Sequence, residues 1–358
     1  MAVHFHQLKI KDVKKETAEC VSISFNIPDE LTNLFAFKEG QNITIKKNIN
    51  GEEIRRSYSV CTAPYEKELR VAVKKMNGGL FSQFANDSLQ PGDILEVLPP
   101  TGKFNARLHP KETGNYLAIA AGSGITPIMS IIKHTLQLQE QSNFTLIYGN
   151  RDRNSIIFFD ELEGLKNKFM NRFNFINILS RERTDAEIFY GRIDEKKLAA
   201  LGKLLSYSSF NEIYLCGPEE LIFSANDFFQ KTGIAKANIH FELFTTPGQK
   251  QTTAISKEDP VSSGPKSNIT IKLDGRSFDF DLNFNSKSIL DAALQQGADL
   301  PYACKGGVCA TCRARLVEGE VDMDVNYALE QEEIEQGFIL TCQSHPRSNK
   351  VVVDFDVK

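Results

Sequence analysis

Nothing at the start of this sequence resembles an export signal. MAVHFHQLKI has polar and basic residues where a signal peptide would carry its apolar core. Nor is there an apolar run fit to span a bilayer. Residues Tyr116 to Ile132 are uncharged, but Gly122, Ser123, Gly124, Thr126 and Pro127 interrupt them, which reads as a buried strand, a turn and the start of a helix. A strong charge bias is also missing. The net charge is only −4, which argues against nucleic acid as a partner. No internal repeat is visible. The cysteines, seven in all, are odd in number and accompany no secretory signal, so the cytosol and metal-binding or reactive thiols are expected in place of disulfides.

What is present is a chain of 358 residues, long enough for two or three domains, with 41% apolar and 25% charged residues as in globular proteins. Its charge is unevenly shared. From Ser267 onward, 15 Asp and Glu stand against 9 Lys and Arg, whereas the first 266 residues hold 33 Lys and Arg against 31 Asp and Glu. An acidic tail on a near-neutral body suggests a protein partner with a basic face.

The first hundred residues read as short strands between turn signals: VSISFNI, NITIKK, RRSYSV, LRVAVKK and DILEVLPP. That rhythm suits an antiparallel barrel. From about Asn115, apolar strands (YLAIAAG, FTLIYGN, FNFINILS, EIYLCG) alternate with helix-like stretches, the pattern of a parallel α/β sheet. After HFELF the chain turns rich in Ser, Thr, Pro, Gly and Lys, and residues 247–267 are expected to be a linker. A compact α+β segment follows from Asn268.

That last segment contains CKGGVCATC, with Cys304, Cys309 and Cys312 spaced C-x4-C-x2-C, and Cys342 in LTCQSHP. Four thiolates can hold a zinc ion or an iron–sulfur cluster. Zinc sites usually pair two C-x2-C knuckles, while the x4 gap wraps a larger object and matches the plant-type [2Fe–2S] spacing. Small residues at Gly306, Gly307, Ala310 and Thr311 let backbone N–H groups approach the sulfurs. Cys20 and Cys61 lie in strand-like runs and read as small buried hydrophobes.

Together with its flanks SILDAALQQGADLPYACKGGVCATC and EQEEIEQGFILTCQSHP, this stretch resembles the plant-type ferredoxin family over the last ninety residues or so. The resemblance implies that Cys304, Cys309, Cys312 and Cys342 are the cluster ligands. It also implies a β-grasp fold with the cluster near the surface.

A cluster carrier makes no electrons, so the rest of the chain should be their source. RRSYSV puts Arg56, Tyr58 and Ser59 on one strand, able to pin a phosphate, stack on a flat ring and reach a ring nitrogen. MNGGLFSQF offers Gly78, Gly79 and Ser82 at an apparent helix N-terminus, suited to a diphosphate. PPTGKF follows. AGSGITP, holding Gly122, Gly124, Thr126 and Pro127, comes directly after an apolar strand, where backbone can approach a pyrophosphate, although the third glycine of the dinucleotide fingerprint is missing.

In this order, and with YLCGPEEL further on, these motifs resemble the ferredoxin–NADP reductase superfamily over residues 1 to about 246. The resemblance implies three domains: a flavin-binding barrel at 1–108, a nicotinamide-binding α/β domain at 109–246 and the ferredoxin domain at 268–358. It implies that Arg56 contacts flavin phosphate, Tyr58 packs on the isoalloxazine and Ser59 bonds near its N5. Gly78, Gly79 and Ser82 would hold the diphosphate. Gly122, Gly124, Thr126 and Pro127, with Cys216, Gly217 and Pro218, would cradle the nicotinamide nucleotide. Cys216 would lie beside the nicotinamide, or else be a buried strand-end cysteine. HFELF looks like the strand that returns to the flavin, bringing Glu242 and Phe244 near its face, or else a plain core strand. Ser59, Cys216 and Glu242 are the catalytic candidates.

Ser180 and Arg181 in SRER resemble the pair that grips a 2′-phosphate, with Tyr190 available to stack on adenine, so NADPH is expected over NADH. FAD is expected over FMN. The implied activity is an oxygenase reductase: hydride from NADPH, single electrons from the flavin to the [2Fe–2S] cluster, then transfer to an oxygenase component. YGNRDRNSIIFFDELEGLK, ILSRE and GRID most resemble reductases of the phenylacetyl-CoA ring epoxidase. Two other readings stay open: a reductase for a ring-hydroxylating dioxygenase, a desaturase or a diiron monooxygenase, and a redox-sensing module without turnover. Glu330, Glu332, Glu333 and Glu335 form an acidic stretch that could dock a basic oxygenase surface or be a solvated helix face.

Overall fold

The structure is a computed structural model that describes residues 4–105, 113–244 and 265–357. The chain divides into two compact units. One is formed by residues 7–54 and 58–243, and the other takes in residues 4–6 and 55–57 and the described residues from Phe244 onward.

The first unit opens with a six-stranded sheet made of β1 (His6–Thr17), β2 (Cys20–Asn26), β3 (Asn42–Ile49), β4 (Glu52–Ser59), β5 (Arg70–Lys74) and β6 (Ile94–Val97), in the order β4-β3-β6-β1-β2-β5. The pairs β1–β2, β2–β5 and β3–β6 are antiparallel. An antiparallel bridge from Val60 to Val71 joins the two edges, so the sheet closes on itself. Leu8, Ile10, Ile23, Phe25, Ile43, Ile45 and Val97 fill the interior. The helix α1 (Leu80–Asp87) covers one end, burying Phe81 and Ala85.

The second half of this unit holds β7 (Asn115–Ala121), α2 (Ile125–Leu138), β8 (Asn143–Asn150), α3 (Phe159–Lys168), β9 (Phe173–Leu179), α4 (Glu195–Leu201), β10 (Glu212–Cys216), α5 (Glu219–Lys231) and β11 (Ile239–Glu242). All four pairings in the order β11-β10-β7-β8-β9 are parallel. The inner strands β10, β7 and β8 are largely apolar and buried because both faces are covered, while the edge strands carry Asn174, Asn177, His240 and Glu242. Strand order reverses between β7 and β10. In open parallel sheets, ligands bind at such a switch, beyond the carboxyl ends of the strands. Here those ends are Ala121–Gly122 and Cys216–Gly217.

The second unit is a β-grasp. Its strands are β12 (Lys266–Leu273), β13 (Arg276–Asn283), β14 (Arg313–Glu318), β15 (Val321–Met323), β16 (Phe338–Leu340), β17 (Ser344–Pro346) and β18 (Lys350–Asp354). Five form a mixed sheet in the order β13-β12-β18-β14-β16, and β15 pairs with β17 separately. The helix α6 (Ile289–Gln295) buries Ile289, Leu290, Ala292 and Ala293 against the core, and α7 (Gln331–Glu335) is a single short turn.

The expected linker lies outside the described residues up to Gly264, as does the expected boundary between residues 108 and 109. Lys266 and Ser267, counted with the linker from composition, already pair with Asn283 and Leu282 in β12. Among the described residues, no helix is long and apolar enough to cross a membrane.

Candidate functional site

β4 ends in Arg56, Tyr58 and Ser59, and strand alternation puts the first two on one face and Ser59 on the other. Arg56 is exposed, and its guanidinium donates to the Arg55 carbonyl at 2.8 Å. The half-buried Tyr58 ring lies 5.6 Å from the Phe81 ring of α1. The same aromatic therefore flanks the start of that helix. Gly79 caps α1 without a side chain over its end, leaving first-turn N–H groups with no intrahelical acceptor. Gly78 has φ +74°, a backbone conformation that favours glycine, and a side chain there would project into open space. Ser82 is turned inward: its hydroxyl accepts from the Met76 N–H and donates to the Gly79 carbonyl. The turn thus presents backbone donors, and the serine holds its shape.

Ser59 is only 4% exposed, and its Oγ donates to Glu242 Oε2 at 2.9 Å. Glu242, at the end of β11, is the register partner of Cys216 at the end of β10. The three catalytic candidates are thus linked through Glu242. Burial, and then the nearby Glu242, push the Cys216 thiol well above its usual range. It stays a neutral thiol.

The turn after β7 packs tightly on the end of β10. A Cβ at Gly124 would overlap the Cys216 carbonyl, so only glycine lets the two strand ends come together. Thr126 and Pro127 are buried, and the Thr126 hydroxyl donates to the Ser123 carbonyl at 3.0 Å. Tyr148 Oη donates to the Gly122 carbonyl at 2.8 Å. Gly217 and the α5 cap Pro218 complete the opposite wall. Lys74, not singled out from sequence, brings its amine within 3.4 Å of the position a Gly122 Cβ would take. Burial, and then Arg151, lower the pKa of Lys74. Its only signal in the sequence is a lysine at the end of a barrel strand.

Ser180 and Arg181 continue beyond β9 and bond to the end of β8. The Ser180 N–H donates to the Asn150 carbonyl at 2.9 Å and the Arg181 N–H to the Arg151 carbonyl at 2.7 Å. Tyr190 joins them through a parallel bridge to Leu179. The Arg183 guanidinium lies 5.9 Å from the Tyr190 ring centroid, a neighbour that sequence reading missed. The Glu182 carboxylate is occupied by the Arg153 N–H at 2.8 Å.

In the second unit, the loop before β14 and the turn after β16 bring four thiols together. Cys304 lies near Cys309 and Cys342, and Cys342 near Cys312. The Gly306 N–H donates to Cys304 Sγ at 3.3 Å. The neighbouring Cys304, and then burial, raise the Cys309 thiol well above its usual range, so occupation by metal must release protons. Among the described residues, no trio of His, Cys, Asp or Glu is grouped to hold one metal ion. The chemistry of the donor set, four thiols from one loop and one turn, fits a [2Fe–2S] cluster. The glycine-opened helix end and the glycine turn at the switch point likewise fit the diphosphate groups of a flavin and a nicotinamide nucleotide.

Phe244 lies beyond β11, where it is exposed. One expectation changes. Glu333 is not part of an acidic surface. It is 3% exposed, its carboxylate pairs with Arg313, and it accepts the Glu330 N–H, closing a capping box. The polar Glu-Gln-Glu-Glu-Ile-Glu run hid this inward turn.

The chain matches three family models: an oxidoreductase FAD-binding domain over residues 7–106, an oxidoreductase NAD-binding domain over 118–227 and a 2Fe-2S iron-sulfur cluster binding domain over 271–347. It is 43% identical over 355 residues to one of the subunits of 1,2-phenylacetyl-CoA epoxidase from Escherichia coli (strain K12), covering 99% of this chain and 98% of that one. It is 32% identical to the 3-ketosteroid-9-alpha-monooxygenase ferredoxin reductase component of Rhodococcus rhodochrous, over 97% of this chain and 96% of the relative. Phthalate dioxygenase reductase, a solved structure, matches with a TM-score of 0.58 at 25% identity over 98% of both chains. The FAD barrel, the parallel-sheet NAD domain and the ferredoxin domain therefore stand as the sequence indicated, and FAD, a nicotinamide nucleotide and a [2Fe–2S] cluster are the cofactors. The chain belongs to the ferredoxin–NADP reductase-type flavin-dependent NAD(P)H oxidoreductases that carry a C-terminal [2Fe–2S] ferredoxin domain.

Proposed function

We propose that this chain is the NADPH-oxidising reductase of an oxygenase system and that its acceptor is the oxygenase component of a phenylacetyl-CoA epoxidase. The observation that supports this acceptor is the near-full-length similarity to a component of the Escherichia coli epoxidase. When bound, the flavin supplies the conversion of a two-electron donor into single electrons, and the cluster supplies one-electron transfer outward.

The residues are assigned as follows. Arg56 contacts flavin phosphate, Tyr58 covers the ring, and the backbone of Gly78, Gly79 and Ser82 binds the diphosphate, a group that FMN lacks. Ser59 holds its proton on the Glu242 carboxylate and so orients a hydroxyl toward the reacting ring. Cys216, kept neutral, shapes the nicotinamide pocket with Gly122, Gly124, Thr126, Pro127, Gly217 and Pro218. Lys74 adds positive charge at the Gly122 turn. Ser180 and Arg181 bind the 2′-phosphate beside Tyr190, which makes NADPH the preferred donor. Phe244 stays assigned to the flavin side on sequence order alone. Cys304, Cys309, Cys312 and Cys342 hold the irons. The domain limits are taken as 1–108, 109–246 and 268–358, with β12 beginning two residues earlier. A cytoplasmic location is supported by the odd number of cysteines, four of them assigned to the irons.

Rapid mixing under anaerobic conditions tests the scheme. NADPH should bleach the flavin within seconds, and the reduced protein should then support epoxidation of phenylacetyl-CoA by the oxygenase component. Bleaching without coupling would mean a different acceptor. Cys309→Ser should abolish transfer to a protein acceptor and spare NADPH-driven ferricyanide reduction. Joint loss of both activities would overturn the domain assignment.

A further inference from the structure

Gln343 directly follows the fourth cysteine and is 8% exposed. Its Nε2 lies 2.9 Å from the Lys305 carbonyl, 2.9 Å from the Cys342 carbonyl and 3.6 Å from Cys342 Sγ. Its own backbone is fixed at both ends. The N–H donates to the Leu340 carbonyl at 2.9 Å, and the carbonyl accepts from the Asp324 N–H at 2.9 Å. The backbone that carries the amide is thus held on both sides, and the contacts of Nε2 itself place the amide at the thiol centre.

Two hydrogens on this nitrogen serve three acceptors, one of them a ligand sulfur. Lys305 stands in the ligand loop with φ +52°, a left-handed conformation that is strained for a non-glycine residue. Gln343 satisfies the carbonyl of that strained residue and so ties the loop bearing Cys304 and Cys309 to Cys342. The Gly306 N–H that donates to Cys304 is backbone and cannot be removed by a side-chain change. Gln343 is a donor that can be.

We infer that Gln343 is a positioning residue of the cluster, whose amide fixes the ligand loop and, by donating to Cys342 Sγ, raises the cluster's reduction potential. This rests on the reading that the four cysteines hold a [2Fe–2S] cluster. Adding one electron increases negative charge on the sulfurs, so a donor to sulfur stabilises the reduced state more than the oxidised one.

The test is a redox titration of the full chain, with both cofactors loaded, followed by visible and electron paramagnetic resonance spectra. Gln343→Leu keeps the bulk and removes the donor; Gln343→Glu keeps the shape and adds negative charge. The leucine variant should shift the cluster's reduction equilibrium at least threefold toward the oxidised form, and the glutamate variant further. For scale, tenfold corresponds to about 59 mV for one electron. The flavin midpoint in the same titration should not move. Clusters present at the wild-type midpoint in both variants would overturn the inference alone. Failure of both variants to hold a cluster would reduce Gln343 to a structural brace and overturn the tuning role. A wild-type protein without a [2Fe–2S] signal would overturn the ligand assignment and the inference with it.

Discussion

Lys133 Nζ lies 2.9 Å from Glu161 Oε1 and 3.0 Å from Glu66 Oε1, with its side chain only 3% exposed. Arg70 Nη2 closes the network on Glu161 at 2.7 and 3.0 Å. Lys133 belongs to α2 and Glu161 to α3, whereas Glu66 and Arg70 belong to the barrel. Beside them, Ser130 Oγ donates to the Thr62 carbonyl at 2.6 Å. Two cations and two carboxylates thus fasten the nucleotide sheet to the barrel and help set how the ends of β10 and β11 meet β4.

Removing Lys133 leaves two half-buried carboxylates facing each other. Lys133→Met should lower the unfolding free energy by roughly 2–4 kcal/mol, given that breaking a buried pair one-sidedly costs about 3–5 and solvent reaches the carboxylates here. Chemical denaturation followed by flavin release measures it. An unchanged midpoint would show the network to be energetically idle.

The same cluster predicts acid sensitivity. Burial alone would raise the Glu161 pKa, but Lys133 and Arg70 outweigh it and hold the carboxyl below the usual carboxylate value. With a folded pKa below the unfolded one, the stabilisation is complete above the unfolded pKa of about 4.5 and is lost as pH falls through the folded value. A series of melting temperatures against pH should show this acid limb, and Glu161→Gln should flatten it.

Ser59 and Glu242 are expected to act as one unit. Ser59→Ala and Glu242→Gln should each slow flavin reduction by NADPH about 100-fold, the low end of the range of about 10²–10⁴ for positioned proton-holding groups. The double variant should be little slower than the worse single one. Stopped-flow absorbance at matched flavin content reads all three, and fully multiplicative losses would separate their roles.

At the ribose end, Arg181→Ala should raise the KM for NADPH roughly tenfold or more, the worth of a charge-assisted hydrogen bond of about 1.5–3 kcal/mol, and leave the KM for NADH nearly unchanged. Equal effects on both would remove the 2′-phosphate assignment. Gly124→Ala should weaken both nucleotides alike, because its methyl group would displace the Cys216 carbonyl.

Much of this was legible in the residues, for identifiable reasons. Cysteine spacing and glycine turns are local signals, so the thiol loop and the switch-point turn could be read from a few positions. The alternation from apolar strands to helical stretches marked the parallel sheet. β1 was missed because only Leu8 and Ile10 are buried within a run of charged residues. The Lys133–Glu66–Glu161–Arg70 network was invisible because its members are scattered between positions 66 and 161 and look like ordinary surface charges. Glu333 looked solvated for a related reason: nothing in its neighbours announces that Arg313, twenty residues earlier, receives it. Gln343 had no signal beyond its place next to a cysteine. Pairings made by folding across long separations leave no periodic trace.

The strand β18 comes last in its domain along the chain and yet sits in the middle of the five-stranded sheet, between β12 and β14. A ribosome making this protein releases all four thiols before it releases the strand that joins the two halves of their scaffold. The irons should therefore be delivered only after synthesis has passed residue 354, at the typical pace of about 5–20 residues per second. Nascent chains stalled short of that point should be unable to retain iron.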